Sequence, residues 1–124
     1  MNIRLTEALC QIPGVLEAAS AFKDGQGFWV NGKEIAHFES EHAIDLRLTR
    51  QQIRDLRADL RADSRVQLRA SSSDWLTVEF SALEDEELVC QLAEIAAAAH
   101  RAVPGTTPAP PPTGQDLQRR RRFH

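Results

Sequence analysis

"GFWVNGKEIAHF", Gly27 to Phe38, is the stretch on which the reading of the fold turns. Asn31-Gly32 separates two runs, Phe28 to Val30 and Lys33 to Phe38, that alternate like strands. A two-residue type I′ turn needs positive φ at both central positions, and Asn and Gly are the residues that tolerate it. The dipeptide therefore predicts a β-hairpin. A two-residue turn pairs Val30 with Lys33, Trp29 with Glu34 and Phe28 with Ile35. Strand alternation then sets Phe28, Val30, Ile35 and His37 on one face, the core side, with His37 at its rim. Trp29, Glu34, Ala36 and Phe38 fall on the other.

Working outward, Leu5, Leu9 and Ile12 stand at helical spacing, and Pro13-Gly14 stops that helix. Val15 to Phe22 reads as a strand, and Lys23 to Gly27 as a loop with two glycines. Beyond the hairpin, Ala43 to Leu48 alternates: Ile44, Leu46 and Leu48 against Asp45 and Arg47. Thr49 with Gln52 is a capping-box pattern, and Ile53, Leu56 and Leu60 give the helix behind it one apolar stripe. Val66 and Leu68 start another strand. Ser71 to Asp74 is a turn, after which Leu76, Val78 and Phe80 alternate with Trp75, Thr77 and Glu79. Ser81 and Glu84 form a second capping box before a long helix striped by Leu88, Leu92, Ile95 and Ala99. Short connections favour antiparallel neighbours, and one apolar face per strand favours a single covered sheet. The predicted class is α+β: a single, mainly antiparallel sheet of about six strands with helices packed on one face, in the order α-β-β-β-β-α-β-β-α.

Composition divides the chain at residue 103. Residues 103–124, "VPGTTPAPPPTGQDLQRRRRFH", are rich in proline and small polar residues and carry Arg119, Arg120, Arg121 and Arg122. Such a segment buries too little apolar surface to offset its ordering entropy, so a disordered tail is expected there, after an α+β domain over residues 1–102. Of the chain's 15 basic and 18 acidic residues, the first 102 positions hold 11 and 17. A body this acidic repels nucleic acid at long range, leaving weak binding through the arginine tail as the expected limit. Met1 to Leu9 is short, polar and carries Glu7, unlike a secretory leader, and no apolar run is long enough to span a membrane. Cys10 and Cys90 form no C-x-x-C or histidine cluster. They read as buried thiols of a cytoplasmic protein rather than a disulfide or metal site.

Motifs of catalysis are missing. The sequence has no phosphate loop, no G-x-G-x-x-G, no G-x-S-x-G elbow and no H-E-x-x-H or cysteine-histidine metal pattern. No cofactor and no metal is therefore expected. His37 and Asp45 are the candidate acid–base residues, since a histidine pKa moves readily across neutrality. The regular hairpin puts Glu34 on the face opposite His37, which excludes a Glu34–His37 dyad. Trp29, Phe38 and Trp75 all fall opposite the core parity, so together with Glu34 they are expected to form an aromatic surface for a protein or small-molecule partner.

"IPGV" (12–15), "FWVNGKEIAH" (28–37), "IDLRLTRQQIRDL" (44–56) and "SDWLTVEF" (73–80), in that order, resemble the small bacterial luciferase domain family. The resemblance covers about residues 12–102 and rests on Pro13, Gly14, Val15, Gly32, Lys33, Glu34, Ile35, His37, Asp45, Leu46, Ser73 and Trp75. This chain departs from the family pattern at Asp74, where a glycine is usual, and at Gln67-Leu68, where histidines usually stand. The family name does not imply light emission: a flavin-dependent luciferase barrel takes about 250 residues. More distantly, the element order resembles the YjbR-like family, which implies the same α+β topology. The expected function is a non-catalytic binding or accessory module. The alternatives are a small-ligand domain or enzyme centred on His37, and a weak nucleic-acid binder.

Overall fold

In the computed structural model, which describes residues 2–122, six strands form one antiparallel sheet in the order β1-β2-β3-β4-β6-β5. The strands are β1 (Leu16–Ala19), β2 (Gln26–Val30), β3 (Lys33–Ser40), β4 (Ala43–Arg47), β5 (Val66–Leu68) and β6 (Trp75–Glu79). The helices are α1 (Ile3–Cys10), α2 (Arg50–Asp55), α3 (Arg57–Ala62), α4 (Leu83–His100) and α5 (Gly114–Arg122). The predicted α+β class and single sheet are present. Asn31 and Gly32 take φ of 49° and 76°, the two positive values the hairpin turn requires.

The core lies between one sheet face and helices α1 to α4. Leu5 and Leu9 of α1, Ile44 and Leu46 of β4, Leu76 and Val78 of β6, and Val89, Leu92, Ala93, Ala96 and Ala97 of α4 share one buried cluster. The buried stripe of α4 is thus turned from the predicted one: Leu88 and Ile95 are only partly buried, and small alanines let the helix approach the sheet. Thr49 and Gln52 make the predicted capping box. The helix behind it breaks at Leu56 into α2 and α3. At α4, Asp85 takes the capping part expected of Glu84, because the helix starts one residue later: its carboxylate accepts from the backbone N–H of Ser81 and Ala82.

One irregularity reorders the faces. Val30 pairs with Lys33 and Trp29 with Glu34, but Phe28 faces Ala36, not Ile35. Ile35 is the extra residue of a β-bulge, where two residues on one strand oppose one on the other. The bulge shifts the alternation by one, so two predicted placements are corrected. Phe38 lies on the helix side, with its ring 6.0 Å from Phe28 and 6.1 Å from Phe80. His37 lies on the opposite face, beside Glu34 and directly across from Asp45.

Composition predicts disorder after residue 103, yet residues 114–122 are helical and the segment lies along the hairpin end of that second face. Ala109 N–H donates to Asn31 Oδ1 at 2.8 Å, Arg120 Nη1 to Gly32 O at 2.8 Å, and Arg121 Nε to Ser20 O at 2.9 Å. The Arg120 guanidinium stands 5.8 Å above the Trp29 ring. Polar capping of carbonyls and a cation–π contact hold this segment, rather than apolar burial, which is the only term its composition reports.

Candidate functional site

The face opposite the core carries a row of polar side chains that the sheet register builds strand by strand. His37 of β3 pairs across to Asp45 of β4, and Asp45 pairs across to Thr77 of β6. The side chains follow the backbone pairing. His37 Nε2 lies 3.0 Å from Asp45 Oδ2, and the Thr77 hydroxyl donates to Asp45 Oδ1 at 2.7 Å. Arg69, just beyond β5, places Nη2 3.0 Å from the same Oδ1. On its other side, His37 Nδ1 lies 3.1 Å from Glu34 Oε2. The dyad excluded by a regular hairpin thus exists, because the bulge puts residues three apart on one face.

Glu34 is buried and saturated. Its carboxylate accepts from the Ser20 hydroxyl and from the Ala21 N–H at 2.7 Å, besides His37. Ser20 Oγ in turn accepts from the N–H of Phe22 and Lys23, which winds the β1–β2 loop around the carboxylate. Gly27 leaves the room: a Cβ there would overlap the Glu34 carboxylate. Phe22 and Trp75 close over the imidazole, with centroids 5.5 and 5.1 Å from His37 and 5.0 Å from each other.

Burial opposes a charged His37, but the hydrogen bonds and charges of Asp45 and Glu34 outweigh it and push the pKa up to about 9. Burial would likewise raise Asp45, and its bonds to His37 and Thr77 and the charge of Arg69 hold it well below the usual carboxylate range. Buried Glu34, His37 and Asp45 alternate in charge and continue to exposed Arg69, while Glu39, 3.5 Å from His37 Nε2, is paired with Lys23, so the charges of the cluster sum to zero, the condition under which buried ions are tolerated. At neutral pH both ring nitrogens of His37 are donors already in use.

Among the described residues, His37, Glu39 and Asp45 bring one possible metal-ligand atom each to within 4.8 Å of one another. His37 could coordinate a cation only after losing its Nε2 proton, and Asp45 only in competition with Arg69 and Thr77. The donor set favours the closed ion chain.

Beside this chain lies a cavity of about 390 Å³ lined by Ala21, Phe22, Trp29, Lys33, Glu34, Arg47, Arg119 and Arg120. The predicted surface residues divide around it. Trp29 is not exposed: it is 1% accessible and lies in the wall beneath Arg120. Trp75 is half-buried on the same face, with the Arg47 guanidinium 5.6 Å from its ring. Phe38 belongs to the other face. Among the described residues, the buried Trp29 indole N–H has no hydrogen-bond partner.

The family model described as Luciferase domain matches residues 32–96. The chain belongs to the luciferase domain family. No curated protein and no solved structure matches it. The luciferase-domain match runs from the hairpin turn into α4 and so contains Glu34, His37, Asp45, Thr77 and Trp75. Ser20, Phe22, Trp29 and the α5 arginines, which complete the loop and the cavity, lie outside it. Of the residues sequence reasoning missed, Arg47 and Thr77 already stood at open-face parity. Gly27 and Arg69 stand at the open-face parity of Trp29 and Gln67, whereas Ser20 and the α5 arginines are brought to this face by long-range packing. Among the described residues, no helix is long and apolar enough to cross a membrane.

Proposed function

We propose that this luciferase-domain protein is a non-catalytic binding module whose ligand is a small molecule held in the Trp29–Arg47 cavity. The observation that carries the reading is the cavity itself, lined by Lys33, Arg47, Arg119 and Arg120 around one carboxylate, with the buried Trp29 ring in its wall. The cavity is at the small end of ligand sites and has room for roughly a dozen waters. What favours binding over acid–base catalysis is the state of His37. A general base needs a free nitrogen and a pKa near the working pH, whereas this imidazole is fully bonded and titrates at about 9.

Indole N–H resonances in a ¹H–¹⁵N spectrum test this, with Trp29 and Trp75 told apart by Trp75→Phe. Titration with a small-molecule fragment set should move the Trp29 resonance for at least one fragment, and Trp29→Phe should weaken that fragment's binding. Fragments that move neither resonance, or that bind Trp29→Phe unchanged, would remove the basis for the reading.

A further inference from the structure

The lining of the cavity has a strongly unequal charge. Lys33, Arg47, Arg119 and Arg120 face a single carboxylate, Glu34, whose oxygens are already taken by Ser20, Ala21 and His37. Among the described residues, no carboxylate lies within ion-pair distance of Lys33, Arg47 or Arg120. Arg119 meets only Asp116, at 3.7 Å and with both side chains largely exposed, a pairing that holds it weakly. Arg120 is committed to the Gly32 carbonyl and the Trp29 ring, and Arg47, with no carboxylate beside it among the described residues, stands over the Trp75 ring, so the positive charge open to an anion is that of Lys33, Arg47 and Arg119. This concentration of cations is set into an otherwise acidic body. The remaining walls are flat and apolar: Ala21, Phe22 and the Trp29 ring.

On the reading that the cavity binds a small molecule, we infer that its ligand is an anion with a compact planar apolar body: a monocyclic carboxylate or phosphate ester. The anionic group sits among Arg47, Lys33 and Arg119, beside the Trp29 wall. Arg guanidinium suits this part because its planar fork matches carboxylate and phosphate oxygens. The ring lies along the Ala21–Phe22 wall. The cavity, about 390 Å³, has room for one ring and its acid group.

The test uses full-length protein and four probes of matched size: phenyl phosphate, benzoate, benzamide and benzylamine. Binding is read by the Trp29 indole resonance and by calorimetry. Phenyl phosphate and benzoate should bind, benzamide more weakly by about tenfold or more, and benzylamine not at all. Arg47→Gln and Arg119→Gln should each weaken the anions by about tenfold and leave benzamide unaffected, whereas Arg54→Gln on α2 should change nothing. Added salt should weaken the anions alone. If benzamide or benzylamine moves Trp29 as strongly as the anions do, the anion inference fails while the binding module stands. Anion binding that survives both arginine variants also overturns the inference. If no probe moves Trp29 at about 10 mM, a concentration sufficient for millimolar affinity, the inference and the module on which it rests fall together.

Discussion

Raising the pH should unload the buried ion chain at His37. Its folded pKa of about 9 lies above the ordinary 6.5, so the folded state binds this proton more tightly than the unfolded chain does. The stabilisation is complete below pH 6.5, declines between the two values and is gone above about 9. At about 1.4 kcal/mol per pKa unit the shift sets a ceiling of roughly 3 kcal/mol. The depressed pKa of Asp45 expresses the same contact from the other partner and adds nothing on the alkaline side. Its own signature is on the acid side, where stability is lost as pH falls below the ordinary carboxylate value. The measurement is urea denaturation at about pH 6 and about pH 9.5 for the native chain and for His37→Gln, with lysine titration cancelling in the difference. The native chain should lose about 2–3 kcal/mol more than the variant across that interval. A direct NMR titration of the His37 ring should give a midpoint well above that of an exposed histidine. A ring that titrates near 6.5, or equal pH slopes in the two proteins, would refute the charged chain Glu34–His37–Asp45.

Other perturbations test the packing around it. Gly27→Ala should cost about 1–3 kcal/mol and lower the His37 midpoint, because the added Cβ displaces the Glu34 carboxylate; unchanged urea midpoint and ring titration would contradict that. Trp29→Ser should cost about 3–5 kcal/mol, as much as Leu92→Ala in the core, while half-buried Trp75→Ser costs distinctly less; denaturation curves settle the order. Removing residues 104–124 should red-shift Trp29 fluorescence and lower Tm by about 5 °C, since α5 covers that ring; an unchanged spectrum would mean α5 does not stay docked. Deleting Ala36 should leave a folded protein with a high His37 midpoint, because it removes the bulge while Ile35 takes the place opposite Phe28; a chain that fails to fold would show the bulge is needed for more than register.

The elements were legible because each is written locally. Asn31-Gly32 specifies the hairpin, Thr49 and Gln52 cap α2, and the alternations at Ile44–Leu48 and Leu76–Phe80 give their strands the faces they have in the fold. The tail was read differently for a reason of the same kind. Composition reports apolar burial, and α5 is held by arginine contacts to carbonyls of Ser20 and Gly32, which depend on where the hairpin ends in space.

The site was misread through a single residue. A regular strand puts Glu34 and His37, three apart, on opposite faces, and every conclusion about His37 followed from that parity. Nothing in Glu34-Ile35-Ala36 announces a bulge, since neither bulged residue is a glycine. Both Ile35 and Ala36 are nevertheless buried in the core cluster, so the extra residue costs no apolar contact. What it changes is the destination of the next side chain. With His37 on the core side, its charge would face Leu46 and Ile44 without a partner, and Phe38 would stand among Glu34 and Asp45. With the bulge, the aromatic ring meets Phe28 and Phe80, and the imidazole meets two carboxylates. Burial of Phe38 and pairing of His37 therefore favour the same register, and neither could be inferred from the hairpin without the strand beside it.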